Sequence, residues 1–91
     1  MSEIRYRRHA DLRITSLDGE GVVLHLGERR YFTVNDTGLT LLEAARESRT
    51  FKELVASLVD EYEVSEPEAE ATARTFLDQC LSSNVILEER G

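Results

Sequence analysis

Leu12-Arg13-Ile14-Thr15 alternates apolar and polar side chains, Asp18-Gly19-Glu20-Gly21 interrupts with turn-forming residues, and Val22-Val23-Leu24-His25-Leu26 resumes with β-branched character. This pattern predicts two strands of a hairpin. Gly27-Glu28-Arg29-Arg30 makes a second turn and Tyr31-Phe32-Thr33-Val34 a third strand, so a three-stranded meander opens the domain. The register of the second hairpin stays open. A two-residue turn pairs Leu26 with Tyr31 and Leu24 with Thr33, whereas a three-residue loop pairs Leu26 with Phe32 and Leu24 with Val34. One step of register inverts every side chain. The second option gathers the apolar residues better and favours burial of Phe32 and Val34, with Tyr31 and Thr33 outside.

Beyond residue 35 the period becomes helical. Asn35 or Asp36 can cap a helix over about 36–47 with Leu39, Leu42 and Ala45 on one face. Thr50-Phe51-Lys52-Glu53 is a capping box, and Phe51, Leu54, Val55, Leu58, Val59 and Tyr62 then recur at helical spacing. Ser65 and Glu68 form a second box ahead of a helix over about 66–83, with Pro67 tolerated in its first turn. Ala69, Ala73, Phe76 and Cys80 make its apolar stripe, flanked by Leu77 and Leu81. Val85-Ile86-Leu87 is a short apolar return over the core. The expectation is an α+β, winged-helix-turn-helix-like fold: a three-stranded antiparallel sheet followed by three helices. Residues 1–10 read as a flexible arginine-rich arm and 11–91 as one domain.

Composition narrows the classes. The 91 residues carry 11 basic and 18 acidic side chains, a net charge of −7. A chain of this length buries roughly 60–65% of its unfolded surface, enough for one core. The longest apolar run, Val22-Val23-Leu24, is far short of the ~20 residues of a membrane span. The first residues lack the apolar stretch of a secretion signal, and a lone Cys80 excludes an internal disulfide framework. A cytoplasmic protein is expected, without membrane partner.

Catalytic chemistry is represented only by isolated parts. His9 sits in the polar arm and reads as solvated. His25 reads as an outward or partly buried structural histidine, and Cys80 as a small buried hydrophobe. No metal-ligand spacing, phosphate loop or nucleophile elbow occurs. The acidic cluster of Asp60, Glu61 and Glu63 fails the calcium-loop pattern and reads as a solvated face. No enzyme activity, cofactor or metal is expected. A winged helix invites a DNA-binding reading, but residues 66–83 set Glu66, Glu68, Glu70 and Asp78 against Arg74 alone. A recognition helix of that charge is repelled by phosphates, so no nucleic-acid partner is expected.

The stretch DGEGVVLHLGERRYFTVNDTG from Asp18 to Gly38, with TFKELVASLVDEYEVSEPEAEATARTFLDQCLSSNVI from Thr50, resembles the PqqD-like family, the precursor-recognition elements of ribosomally made peptides. The shared features are an aromatic pair before a V/L-N-x-T-G turn, the pattern T-x-x-E-L/I-V-x-x-L-x-x-x-Y, and an acidic third helix ending F-L-x-x-x-L. The resemblance covers about residues 11–88. Arg29 stands where the family usually has glycine, which implies a longer loop there. His25-Leu26-Gly27 lacks the proline segment common in quinone-cofactor PqqD proteins, so the fit is closer to free-standing proteins of lasso-peptide pathways.

The resemblance implies a binding module. It would hold the leader of a precursor peptide as an added strand and deliver it to a partner enzyme, a leader peptidase or a cyclase. The leader would lie between the third strand and the third helix, so the candidate peptide-binding residues are Tyr31, Phe32, Thr33, Val34, Ala73, Arg74, Phe76, Leu77 and Leu81. Phe32 and Phe76 also read as core. Arg74 meets either an acidic leader residue or its own neighbours Glu70 and Asp78. The strand is the last of a meander and can leave an edge unpaired, which agrees with strand addition. The alternatives are a winged-helix DNA-binding regulator, a PqqD proper acting as precursor chaperone in quinone-cofactor synthesis, and a subunit that docks on an enzyme through an edge strand without any leader.

Overall fold

The computed structural model describes residues 3–90. Its elements are strands β1 (Ile4–Arg8), β2 (Leu12–Leu17), β3 (Glu20–His25) and β4 (Arg30–Val34), helices α1 (Asp36–Ala44), α2 (Phe51–Glu61) and α3 (Glu66–Ser82), and strand β5 (Ile86–Arg90). β2, β3 and β4 form the expected antiparallel meander, and the three helices follow it. No helix among the described residues is long and apolar enough to cross a membrane.

Local chemistry accounts for the element boundaries. Asp18 (φ 47°) and Gly19 (φ 80°) make the two-residue turn between Leu17 and its partner Glu20, where positive φ matches the strand twist. Asn35 accepts the Gly38 N–H at 3.0 Å and starts α1. At α2 the capping box is complete: Thr50 Oγ1 accepts the Glu53 N–H, and the Glu53 carboxylate accepts the Thr50 N–H at 2.9 Å. That backbone bond, with Arg5 nearby, holds the Glu53 carboxyl below its usual range. Ser65 caps α3 by accepting the Glu68 N–H, which is half of the second expected box.

The amino-terminal segment corrects the expectation of a flexible arm. Met1 and Ser2 lie outside the described residues, but Ile4–Arg8 pairs antiparallel with β5, from Ile4 opposite Arg90 to Arg8 opposite Ile86. The other edge of β1 is covered by the α1–α2 loop, where Tyr6 and Arg49 exchange N–H···O bonds and Arg8 N–H donates to Ala45 O. Tyr6 is buried in the core, and the arginines find carboxylates: Arg5 meets Glu53, Arg7 meets Glu89 and Arg8 meets Glu43. α1 stops at Ala44 rather than near residue 47, and the residue that follows, Ala45, gives its C=O to β1.

The second hairpin follows neither expected register. Val23 faces Phe32 and His25 faces Arg30, leaving a four-residue loop whose Arg29 adopts φ 55°. Phe32 and Val34 do pack against the core, while Tyr31 is 73% exposed. On β3 the buried positions are Gly21, Val23 and His25, and Leu24 and Leu26 are exposed. His25 is fully buried because its polar atoms are satisfied: Nδ1 accepts the Glu28 N–H at 3.2 Å and Nε2 lies 3.1 Å from Asn84 O. Those two partners select the tautomer protonated at Nε2. His9, expected in solvent, packs on this ring with centroids 4.5 Å apart. The core gathers Leu41, Leu42, Leu54, Leu58, Leu77, Val23 and Ile86 between the sheet and the helices.

Candidate functional site

Among the described residues the outer edge of β4 is unpaired, and the ladder shows which of its backbone groups are free. Leu26 N–H donates to Asp11 O at 3.0 Å, extending the β2–β3 ladder by one pair. In an antiparallel sheet the direction of bonding alternates residue by residue. Leu24 and Val22 therefore bond toward β2, while Val23 and His25 bond toward Phe32 and Arg30. Tyr31 and Thr33 are left with N–H and C=O groups at the outer edge. A bare edge of this kind is a template for another strand.

Beside that edge lies a cleft of about 310 Å3 lined by Phe32, Thr33, Val34 and Asn35 on one side and by Phe76, Gln79, Cys80 and Ser83 of α3 on the other. Val23 and Val85 complete its lining. A neighbouring depression of about 410 Å3 shares Asn35, Phe76 and Gln79 and continues along α3 past Thr72 and Thr75. Neither carries a lysine, arginine or carboxylate. The surface offered is apolar with hydroxyl and amide groups, suited to an uncharged side chain plus backbone hydrogen bonds. Burial pushes the Cys80 thiol up to about 12, so it is an uncharged part of the wall.

Of the expected site residues, Phe32, Thr33, Val34 and Phe76 come together in this cleft, with Tyr31 on the same strand pointing to the outer face. Ala73 and Leu77 are each 1% exposed and belong to the core. Arg74 stacks over the Phe51 ring at 4.1 Å, so its flank of α3 faces α2 and not the cleft. It pairs with neither Glu70 nor Asp78 among the described residues. Leu81 lies near Arg74 on a helical projection and is partly buried against the core. The expected residues Arg74 and Leu81 lie on one flank of the buried stripe, and the opposite flank lines this cleft. Gln79, Ser83, Thr72 and Asn35 line it or the neighbouring depression without being among the expected residues. Their signal was present: Thr72, Phe76, Gln79 and Ser83 recur at helical spacing on one side of Cys80.

Among the described residues no cluster of histidine, cysteine and carboxylates has the arrangement of a metal site. The arginines of β1 are paired with glutamates, and α3 keeps its acidic first turn of Glu66 and Glu68. Neither element presents the cationic face that a phosphate backbone requires.

Known proteins with this architecture include TbiB1 in complex with the TbiA(beta) leader peptide, at 25% identity and a TM-score of 0.75 over 88% of this chain and 93% of that one. A lasso peptide synthetase B1 complexed with the leader peptide shares the fold, with a TM-score of 0.72 and 20% identity over 90% of this chain and 96% of that one. No curated protein matches the chain significantly. The model of the family described as coenzyme PQQ synthesis protein D (PqqD) matches residues 20–86, from the start of β3 to the first residue of β5. With its three-stranded sheet, its capped helices and most of its length inside that match, the chain belongs to the PqqD family.

Proposed function

We propose that this chain binds the leader segment of a ribosomally made precursor peptide as an added strand on β4. It then presents the leader to a processing enzyme, a leader peptidase or cyclase of a lasso-peptide or related pathway. One observation carries the reading: the outward backbone groups of Tyr31 and Thr33 stand beside an uncharged cleft between β4 and α3. Backbone bonds to the strand set the register of the leader, and side chains entering the cleft select its sequence. TbiB1, similar over nearly the whole chain, is itself a leader-peptide complex, which supports the assignment. The chain contributes no catalytic group. It raises the concentration of the precursor near its partner, which is an effective-molarity effect.

Fluorescence anisotropy with the leader encoded beside this protein tests the reading. Saturable binding with little change between low and high salt is the expected result, because the cleft holds no ionised side chain. Absence of binding, together with salt-sensitive binding to random duplex DNA, would return the chain to the winged-helix regulators. Preference for the precursor of a quinone cofactor over a lasso leader would move it to that pathway.

A further inference from the structure

The sheet has a second bare edge. Among the described residues β2 pairs only with β3, and the alternation that frees Tyr31 and Thr33 turns the N–H and C=O groups of Ile14 and Ser16 away from the sheet. Leu12, the other outward position, is already used: its N–H donates to His9 O and its C=O accepts from Arg13. The segment LRITSL has one charged side chain and no proline, so it lacks the usual protection of an edge. The free edge of β5 differs, with Glu88 and Arg90 at its outward positions.

This edge opens on a broad cleft of about 870 Å3 between β2 and helices α1 and α2. The cleft is electrically polar along its length. Where β2 begins, Arg8 and Arg46 both pair with the carboxylate of Glu43, and Arg13 adds a third cation to the lining. Where β2 ends, Ser16 is paired with Gly21, and Leu39 packs against Gly21 so closely that a Cβ there would overlap its side chain. The same turn of α1 brings Thr40 to the Tyr62 hydroxyl at 2.9 Å, which places the carboxylates of Asp60 and Glu61 at this end. Neither makes an ion pair among the described residues.

We propose that the β2 edge is a second strand-accepting groove, whose occupant is an extended segment of a partner protein with basic residues ahead of acidic ones. Antiparallel addition, the more stable pairing, fixes that order. A strand antiparallel to β2 enters at Asp60 and Glu61 and leaves at Arg8 and Arg46, so its first residues are cationic and its last anionic. The site is separate from the β4 cleft and does not depend on the leader reading.

Two-dimensional amide NMR on the whole chain tests this with two synthetic peptides of one composition, Lys-Lys-Val-Thr-Val-Thr-Glu-Glu and its reverse. The first is expected to shift the Ile14 and Ser16 amides, equally with and without a saturating leader peptide, and the reverse peptide to bind roughly five- to tenfold more weakly. The double variant Asp60→Lys, Glu61→Lys, checked for folding by its unperturbed core amides, should lose the preference for the first peptide. No shift at Ile14 and Ser16 up to millimolar peptide, or equal shifts from both peptides, would overturn the proposal. So would shifts confined to Tyr31 and Thr33, which would mean that the peptide had found the β4 edge. Concentration-dependent shifts at Ile14 and Ser16 without peptide would assign the edge to a second copy of this chain, and would also overturn it.

Discussion

The Phe76 ring lies so close to Gly38 that a Cβ built on that glycine would meet its Cε1 at 2.9 Å. Gly38 ends the N-x-T-G turn, and its amide is the one that caps onto Asn35. The absence of a side chain there lets the first turn of α1 slide under a wall of the β4 cleft. The glycine therefore shapes the groove and not only the turn.

Gly38→Ala should accordingly separate folding from binding. Alanine gains about 0.8–1.0 kcal/mol of helix propensity, which offsets only part of a repacking cost of ~1–3 kcal/mol. The melting temperature should fall by at most about 15 °C and the domain stay folded, while leader affinity of the folded protein falls because the Phe76 ring is pushed into the cleft. Unchanged affinity in a well-folded variant would show that the ring position does not matter to the ligand.

Proline substitution on β4 reads the ladder directly. Thr33→Pro removes an outward N–H and should leave a folded domain that has lost about 1 kcal/mol of leader affinity, the net value of one hydrogen bond. Phe32→Pro removes a bond to Val23 and should unfold or strongly destabilise the domain. Circular dichroism melts and anisotropy on both variants check the pair. A folded Thr33→Pro variant that binds like wild type would mean that the leader does not pair with this strand.

The two flanks of α3 should differ in kind. Leu77→Ala is expected to cost ~2–5 kcal/mol of stability, since the side chain is 1% exposed. Arg74→Ala should cost a few tenths to about 1 kcal/mol through its stacking on Phe51 and leave leader affinity unchanged. Gln79→Ala and Ser83→Ala should weaken binding with little effect on stability. Denaturant unfolding beside leader titration distinguishes these classes.

Cys80 gives a pH-dependent signature. Its thiol is pushed up to about 12 from an ordinary value of 9.0, with burial as the cause. The folded thiol keeps its proton where an unfolded one has lost it, so the associated stability is present below pH 9.0 and declines as pH rises toward about 12. Denaturation of wild type and Cys80→Ala across that window should show the extra decline only in wild type. Iodoacetamide should label the native chain far more slowly than the denatured one.

Helix caps and apolar stripes were legible because they are local. Asn35, Thr50 and Ser65 each act within a few residues of themselves, and their helices start where the spacing says. The amino-terminal strand was not legible. Its arginines look solvated until Glu43, Glu53 and Glu89, remote in sequence, arrive to meet them, and Tyr6 alone marks the buried side. His25 misled the register for the same reason. A polar residue at an inward strand position becomes plausible only once Asn84 O and the Glu28 N–H are known to reach it. On α3 the two flanks of the stripe are equivalent on a helical projection, and it is the position of Phe51 that assigns Arg74 to one of them.

The pairing of β1 with β5 sets Ile4 opposite Arg90, so the path of the chain closes on itself like the neck of a purse. A unit whose entry and exit stand side by side can be spliced into a surface loop of another protein without parting that loop, and its own ends can be joined while new ones are cut elsewhere. The unpaired edge of β4 belongs to the other sheet. Such grafts would leave it open, and the module would travel as a self-contained cassette.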